Sequence, residues 1–196
     1  MSIRRKNIVI LIFTMIFAIS CGPQIKATKP YSPEVKLDVP FEPNLGNTCF
    51  SSSFAMVMRY WGKNANVHDV LKVVGLPPFR VGYEHPELMH WMEKHYGLKL
   101  RYLPYSKIED IKLFINEGYP VVVHQTFSLN EKTGHNRVVI GYSDKRNVFI
   151  TNDPSNLGPN YEIPYDTFKK LWSDITLYES GPHNKAYLVI PIEKKP

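Results

Sequence analysis

The clearest pattern of hydrophobic and polar positions lies between residues 46 and 62. Five large apolar side chains fall there at the offsets 0, 4, 7, 8 and 11, which is the spacing of one buried helical face: Phe50, Phe54, Val57, Met58 and Trp61. Gly62 follows them and is a usual residue for ending a helix. A loop of Pro, Asn and Gly leads into Cys49, so the sequence predicts a core helix with a thiol in its first turn.

The chain beyond residue 62 alternates between helical and extended patterns. Amphipathic spacing predicts helices over 67–75, 84–96, 106–118 and 165–172. The third of these begins with Ser106 as its cap and has Glu109 three residues on. Alternating or β-branched runs predict strands over 98–103, 120–124, 137–142, 148–151 and 186–192. A polar turn joins 137–142 to 148–151 as a hairpin, and the order of helices first and mostly antiparallel strands later indicates an α+β fold.

The first twenty residues have the pattern of an export signal. The basic stretch 4–6 precedes an apolar run from Ile8 to Ile19, which is too short to span a bilayer comfortably. The small residues before Cys21 resemble a bacterial lipoprotein cleavage box, which implies that Cys21 becomes the lipidated first residue of the mature protein. Gly22 lacks the acidic side chain that can signal inner-membrane retention, which favours the outer membrane or the cell surface. An uncleaved anchor and a plain signal peptide are the alternatives, and both also take the protein out of the cytoplasm.

The chain therefore divides into a signal peptide over 1–20, a flexible tether over 21–37 and one domain over 38–196. The tether prediction rests on three prolines and the absence of any hydrophobic period. A hydrophobic content of 43% and a charged content of 21% are typical of a globular protein with a sizeable core. Half of the net charge of +6 comes from the basic stretch at residues 4–6, and no basic helix or clustered basic face follows, so we expect no nucleic-acid partner.

The chain has two cysteines, and their positions predict different roles. If Cys21 carries lipid, Cys49 has no partner in the chain for a disulfide. The first turn of a helix favours the thiolate over the thiol, because unpaired N–H groups and the helix dipole surround the sulfur. Cys49 is thus a candidate nucleophile, with a buried small hydrophobe as the alternative interpretation.

A cysteine nucleophile needs a base, and the base needs a group that orients it. His135 lies between Gly134 and a β-branched strand, which places an imidazole at the start of a core strand. Asp153 follows the next strand, so the predicted hairpin brings both side chains to one end of the sheet. The alternatives are a structural histidine and an ordinary turn residue before Pro154. The remaining histidines lack metal-ligand spacing, and we expect no metal or cofactor.

The ordered set of these segments resembles the papain-like cysteine peptidases of the bacteriocin-leader-processing, or double-glycine peptidase, type in an exported stand-alone version. The matching segments are 39–41 with the polar loop before the cysteine, 58–62, 134–142, 152–154 and the helix over 165–172. The resemblance implies a papain-like fold over 39–192, with Cys49 as nucleophile, His135 as base and Asp153 as orienter. The family has a glutamine shortly before the cysteine whose amide completes the oxyanion hole, and Asn44 offers the same amide here on a shorter stem.

The sequence thus predicts a lipid-anchored envelope cysteine peptidase that hydrolyses a peptide or isopeptide bond, with a peptide or protein as its substrate and the membrane as a partner through Cys21. The segments 76–86, 125–134 and 155–164 are the candidate groove loops. One alternative is a peptide-binding module without turnover, since Asn44 replaces glutamine and Phe50 stands where glycine is usual. The other is an acyl transferase or cell-wall amidase that uses the same Cys-His pair.

Overall fold

The computed structural model describes residues 27–75, 85–173 and 184–192, and the predictions for the signal peptide and Cys21 lie outside them. In chain order the elements are β1 (Glu34–Lys36), α1 (Cys49–Tyr60), α2 (Val67–Val74), α3 (Pro86–Tyr96), β2 (Leu98–Leu103), α4 (Ile108–Glu117), β3 (Val121–Thr126), β4 (Gly134–Ser143), β5 (Val148–Asp153), β6 (Gly158–Pro164), α5 (Tyr165–Ser173) and β7 (Ala186–Pro191). Among the described helices, none combines the length and the apolar character that a membrane crossing requires.

The strands form one sheet in the order β2-β7-β3-β4-β5-β6, with β1 added beside β4, and neighbouring strands are antiparallel. Helices cover both faces of its centre. Val122 of β3 belongs to the core cluster that contains α1, α2 and α3, while Val121 and Val123 belong to the cluster with α4 and α5. Because both faces are buried, β3 is a continuous apolar run rather than an alternating one. The predicted α+β class, with the Cys49 helix packed on a mostly antiparallel sheet, is confirmed.

The predicted hairpin at the centre of the sheet is also confirmed. Strands β4 and β5 pair from Val138 opposite Asn152 to Ser143 opposite Val148, with a register shift at Gly141. A Cβ at Gly141 would lie only 2.5 Å from the carbonyl oxygen of Val35, so a glycine is required where β1 lies against β4. This hairpin places the start of β4 and the end of β5 at one edge of the fold.

Residues 27–37 differ from the flexible tether that the sequence analysis predicts, because they lie on the domain. Strand β1 pairs with β4, and the side chain of Glu117 accepts hydrogen bonds from the backbone N–H groups of Thr28 and Lys29. The amide of buried Asn116 accepts from the Ser32 N–H and donates to the Pro30 carbonyl. A three-residue strand is too short to show a hydrophobic period, which is why composition alone suggested a linker.

Two further local predictions are wrong. The segment 155–164, expected to be a groove loop, contains β6, an exposed edge strand whose side chains have no apolar alternation. Helix α4 begins at Ile108 and not at Ser106, whose hydroxyl donates to the carbonyl of Leu103 instead. The carboxylate of Asp110 accepts from the N–H of Lys107, so the acidic capping residue lies one position later than predicted.

Candidate active site

Cys49 is the first residue of α1 and is half-buried. Thr48, the N-cap of α1, makes no side-chain hydrogen bond to the helix, so no cap side chain satisfies the N–H groups of its first turn. These groups and the helix dipole favour a negative charge on the Cys49 sulfur. The predicted placement of a thiol in the first turn of a core helix is confirmed.

His135 lies at the start of β4 and Asp153 at the end of β5, as the hairpin prediction requires. Nε2 of His135 lies 2.8 Å from Oδ1 of Asp153, and both side chains are almost completely buried. The imidazole also lies near enough to the Cys49 thiol to shift its pKa, and Nδ1 is the ring nitrogen that the contact with Asp153 leaves available to the sulfur. The three residues that the sequence analysis singled out therefore lie in one row, in which His135 interacts with both Asp153 and Cys49.

The charges in this row favour the ionised form of each member. Burial raises the pKa of the Cys49 thiol, but the hydrogen bond and charge of His135 together with the hydrogen bonds of Asn136 outweigh it, and the pKa falls below its ordinary value. Burial lowers the pKa of His135, but its hydrogen bonds to Asp153 and Cys49 raise it above its ordinary value overall. Burial likewise opposes ionisation of Asp153, yet the hydrogen bond from His135 holds the pKa of that carboxyl well below its usual range. The arrangement stabilises a thiolate-imidazolium pair.

Arg137 is a part of the site that the sequence analysis did not predict. Its guanidinium is fully buried and donates from Nε to Oδ2 of Asp153 at 2.5 Å. The remaining donors bond the Gln125 side chain and the carbonyls of Thr126 and Phe127. A charged residue within a β-branched strand was the available signal, because a buried charge must be paired to be tolerated.

Asn136 is a second residue that the sequence analysis missed. Its side chain is buried, and Nδ2 lies 3.9 Å from the Cys49 sulfur, within reach of a hydrogen bond to sulfur. Its Oδ1 lies 3.2 Å from Nδ1 of His124 on the neighbouring strand. No local pattern distinguishes this residue, since its contact with Cys49 depends on how β4 and α1 meet.

Asn44, the candidate oxyanion donor, is held by the residue before the nucleophile. Its Oδ1 accepts hydrogen bonds from the N–H and the hydroxyl of Thr48, at 2.7 and 2.8 Å. A backbone N–H can only donate, so this contact identifies the atom facing Thr48 as oxygen and places the Asn44 NH₂ group on the other side. The N–H of Asn44 donates to the Pro154 carbonyl at 2.7 Å, which ties this loop to the end of β5.

The ring of Phe50 lies in the core. Its presence in place of glycine was one reason to consider a binding module without turnover. Phe50 is 5% exposed and contacts the rings of Phe54, His85 and Tyr187, with centroid distances of 4.6, 4.5 and 6.2 Å. The ring that does lie beside the catalytic candidates is Phe127, edge-on to His135 with centroids 5.0 Å apart. Within the described ranges, no group of three or more His, Cys, Asp or Glu side chains could hold a metal ion.

Comparison with known proteins decides the family. Residues 30–179 match the model of the Peptidase_C39 like family. The chain belongs to this family. A search of curated protein sequences finds no match. Membership of the Peptidase_C39 like family and the papain-like fold place the protein in the cysteine peptidase class, in agreement with the resemblance drawn from the sequence.

Solved structures support this family assignment at the level of the fold. A Bacillus anthracis protein described as a C39-like peptidase superposes with a TM-score of 0.62 at 18% identity, over 82% of this chain and 99% of its own. A double glycine motif protease from an AMS/PCAT transporter, solved with a leader peptide, gives 0.54 at 19% identity, over 80% and 94%. The peptidase domain of Streptococcus ComA gives 0.54 at 16% identity, over 80% and 98%.

Proposed function

We propose that this member of the Peptidase_C39 like family is a lipid-anchored envelope peptidase that hydrolyses peptide or isopeptide bonds through Cys49, His135 and Asp153. The observation that carries the proposal is the imidazole of His135, whose Nε2 bonds Asp153 at 2.8 Å and which lies next to the Cys49 thiol, so that each shifts the pKa of the other. This is the geometry of a nucleophile, a base and an orienting carboxylate.

In the proposed reaction the Cys49 thiolate attacks the substrate carbonyl carbon, and the carbonyl π electrons move to oxygen. The backbone N–H of Cys49 and the NH₂ group of Asn44 donate to that oxyanion. His135 gives its Nδ1 proton to the leaving amine as the C–N bond breaks, which leaves a thioester on Cys49. His135 then takes a proton from water and the hydroxide attacks the thioester. The C–S bond breaks, the acid leaves, and the Cys49 thiolate is restored beside the His135 imidazolium.

The buried carboxylate of Asp153 stabilises the imidazolium and fixes the plane of the ring. Its Oδ1 accepts from His135 and from the N–H of Ser155 at 2.9 Å, and its Oδ2 accepts from Arg137, so the carboxylate has little freedom to rotate. A base held in this way needs less reorganisation when the proton moves.

A peptide substrate is supported by the relatives, one of which was solved with a leader peptide. Export is supported by the basic and apolar segments of residues 1–20, and lipid attachment by the small residues before Cys21. Of the two features that motivated the binding-module alternative, the ring of Phe50 packs in the core, and only the shorter amide of Asn44 remains.

The function is tested by incubating the purified chain and its Cys49→Ala variant with a defined peptide mixture and with peptidoglycan fragments, and identifying products by mass spectrometry. We expect new peptide termini that depend on Cys49. Products only from peptidoglycan would instead indicate an amidase, and acyl exchange without hydrolysis would indicate a transferase. Intact substrates together with an unreactive Cys49 thiol would indicate a binding module.

Lipid attachment is tested separately by growing cells that express the full chain with a radiolabelled fatty acid. We expect label on the wild-type protein, a change in mass at Cys21 and loss of both in Cys21→Ser. Because this substitution lies outside the domain, the peptidase activity of Cys21→Ser should stay within about twofold of wild type, whereas Cys49→Ala should keep its lipid and lose its activity. Absence of label from the wild type would refute lipid attachment and would leave the proposed peptidase reaction unaffected.

A further inference from the structure

A second row of residues, formed by hydrogen bonds and separate from His135, reaches the Cys49 sulfur. It begins at His124 on β3 and passes through Asn136 on β4, which are direct partners in the register of the two strands. Nδ1 of His124 lies 3.2 Å from Oδ1 of Asn136, and Nδ2 of Asn136 lies 3.9 Å from the sulfur. Neither residue has a part in the proposed triad.

The direction of this second row is fixed by chemistry. A thiolate sulfur can only accept a hydrogen bond, so the NH₂ group of Asn136 faces it and Oδ1 faces His124, where the amide oxygen can only accept. His124 must therefore donate from Nδ1, which in turn keeps the Asn136 NH₂ group turned towards Cys49. Gly134 lies against the edge of the His124 ring, and a Cβ there would come within 3.0 Å of Cε1. A side chain at that position would therefore require the ring to shift.

We infer that Asn136, oriented by His124, is a second side-chain donor to the Cys49 sulfur and stabilises its thiolate independently of His135. The inference rests on the proposed function, because it concerns the nucleophile of that reaction. A charge-assisted hydrogen bond to an anion is stronger than one to a neutral thiol, so the contact favours ionisation. The backbone N–H of Asn136 and, to a lesser extent, its side chain both lower the pKa of Cys49, and the backbone contribution does not depend on the side chain.

The contribution of Asn136 differs in kind from that of His135, because an amide does not titrate. It persists at every pH at which the fold persists, whereas the support from His135 is lost when that ring gives up its proton. The titratable or charged groups around the two rows are His135, Arg137 and Asp153 on the triad side, and His124, His85 and Glu87 on the other.

The inference predicts an unusual signature in the reaction of Cys49 with iodoacetamide. Removing a donor raises the pKa of the thiol but also makes the remaining thiolate more nucleophilic, because reactivity rises with pKa at a Brønsted slope of about 0.4–0.5. For an increase of about one pKa unit, Asn136→Leu should react about threefold more slowly well below the thiol pKa and about threefold faster on the plateau above it. The rate profiles of the variant and the wild type should therefore cross as pH rises, and a general loosening of the fold would not produce this crossing.

The experiment measures the rate of Cys49 alkylation from about pH 4 to about pH 10 in the full chain, with peptide mass spectrometry separating Cys49 from Cys21. Asn116→Leu is the matched control, because Asn116 is also a buried asparagine but bonds the N-terminal segment. We expect the crossing in Asn136→Leu and an unchanged profile in the control. Superimposable profiles of wild type and Asn136→Leu would overturn the inference.

The orienting residue gives an independent test if Asn136→Leu fails to fold. His124→Asn keeps a donor at the position of Nδ1, whereas His124→Leu removes it. We expect the upward shift of the thiol pKa in His124→Leu and its restoration in His124→Asn, and equal profiles for these two variants would overturn the inference. Failure of the proposed function would look different, because the wild-type thiol itself would then titrate like a free cysteine and ignore His135→Ala.

Discussion

Arg137 and His135 share one carboxylate: Arg137 donates to Oδ2 of Asp153 at 2.5 Å, and His135 bonds Oδ1 at 2.8 Å. All three side chains are buried. One negative charge therefore faces a permanent cation and a titratable one. The shared carboxylate links the stability of the domain to the protonation of its candidate base.

We expect Arg137→Met to destabilise the fold strongly, because it leaves Asp153 with a buried charge that only His135 and the Ser155 N–H compensate. The expected loss is about 3–5 kcal/mol in the free energy of unfolding, measured by urea denaturation. Arg146→Met is the control, since Arg146 forms exposed ion pairs with Glu34 and Glu162 and should change stability little. Similar losses in the two variants would contradict this account of Arg137.

The same ion pair should restrain the pKa of His135. The charge of Arg137 opposes protonation of the ring and lowers its pKa, against the larger upward effect of Asp153. Removing Arg137 should therefore raise the pKa of His135 further, and activity that depends on the imidazolium should persist to higher pH. The measurement is the alkaline limb of kcat against pH in Arg137→Met, made without urea and at a temperature at which the variant remains folded. A shift of that limb to lower pH would refute the electrostatic role.

Stability in acid should depend on Asp153. Its pKa is lower in the folded than in the unfolded state, so the unfolded chain binds a proton first as pH falls. The stabilisation is thus complete above the unfolded value of about 3.9 and is lost progressively as pH falls from there towards the folded pKa. Asp153→Asn should show a flatter dependence of unfolding free energy on pH below about pH 4 than wild type. Parallel curves, whatever their offset, would count against this linkage.

Asn44 can be tested with an isosteric substitution. Asn44→Asp keeps the oxygen that accepts from Thr48 but replaces the NH₂ donor, so the loop should hold while the oxyanion loses a partner. We expect kcat to fall by roughly 10²–10³. The plateau rate of Cys49 alkylation, which needs no oxyanion hole, should stay within about threefold of wild type.

The Thr48→Val variant controls for the loop, since it removes the hydroxyl but leaves the backbone contact to Asn44. It should retain most of the wild-type kcat. Equal losses of kcat in Thr48→Val and Asn44→Asp would mean that Asn44 acts by shaping the loop and not as an oxyanion donor.

The sequence allowed prediction of those parts of the site that follow from local periodicity. The helical spacing after Cys49 placed the thiol in the first turn of a core helix, and the hairpin between 137–142 and 148–151 brought His135 and Asp153 to one end of the sheet. The resemblance to the peptidase family joined Cys49 to them. Arg137 and Asn136 could not be assigned in this way, because each acquires its partners only when strands β3, β4 and β5 are in register. Strand β6 was missed for a related reason, since an exposed edge strand needs no apolar alternation.

The segment 27–37 shows the same limit at the N-terminus. Its prolines and polar residues are typical of a linker, yet Asn116 and Glu117 bind its backbone and β1 pairs with β4. Backbone hydrogen bonds of this kind carry no side-chain pattern that a sequence could display. Gly141, which permits the approach of β1, was visible only as one glycine within a strand.

The central claim is that Cys49 is a thiolate paired with the His135 imidazolium, and the pH dependence of Cys49 alkylation in wild type and His135→Ala tests it most directly. The account predicts that the midpoint for wild-type Cys49 lies below the ordinary thiol pKa of about 8.5, and that His135→Ala raises this midpoint. A wild-type midpoint at or above the ordinary value, unchanged by His135→Ala, would contradict the account.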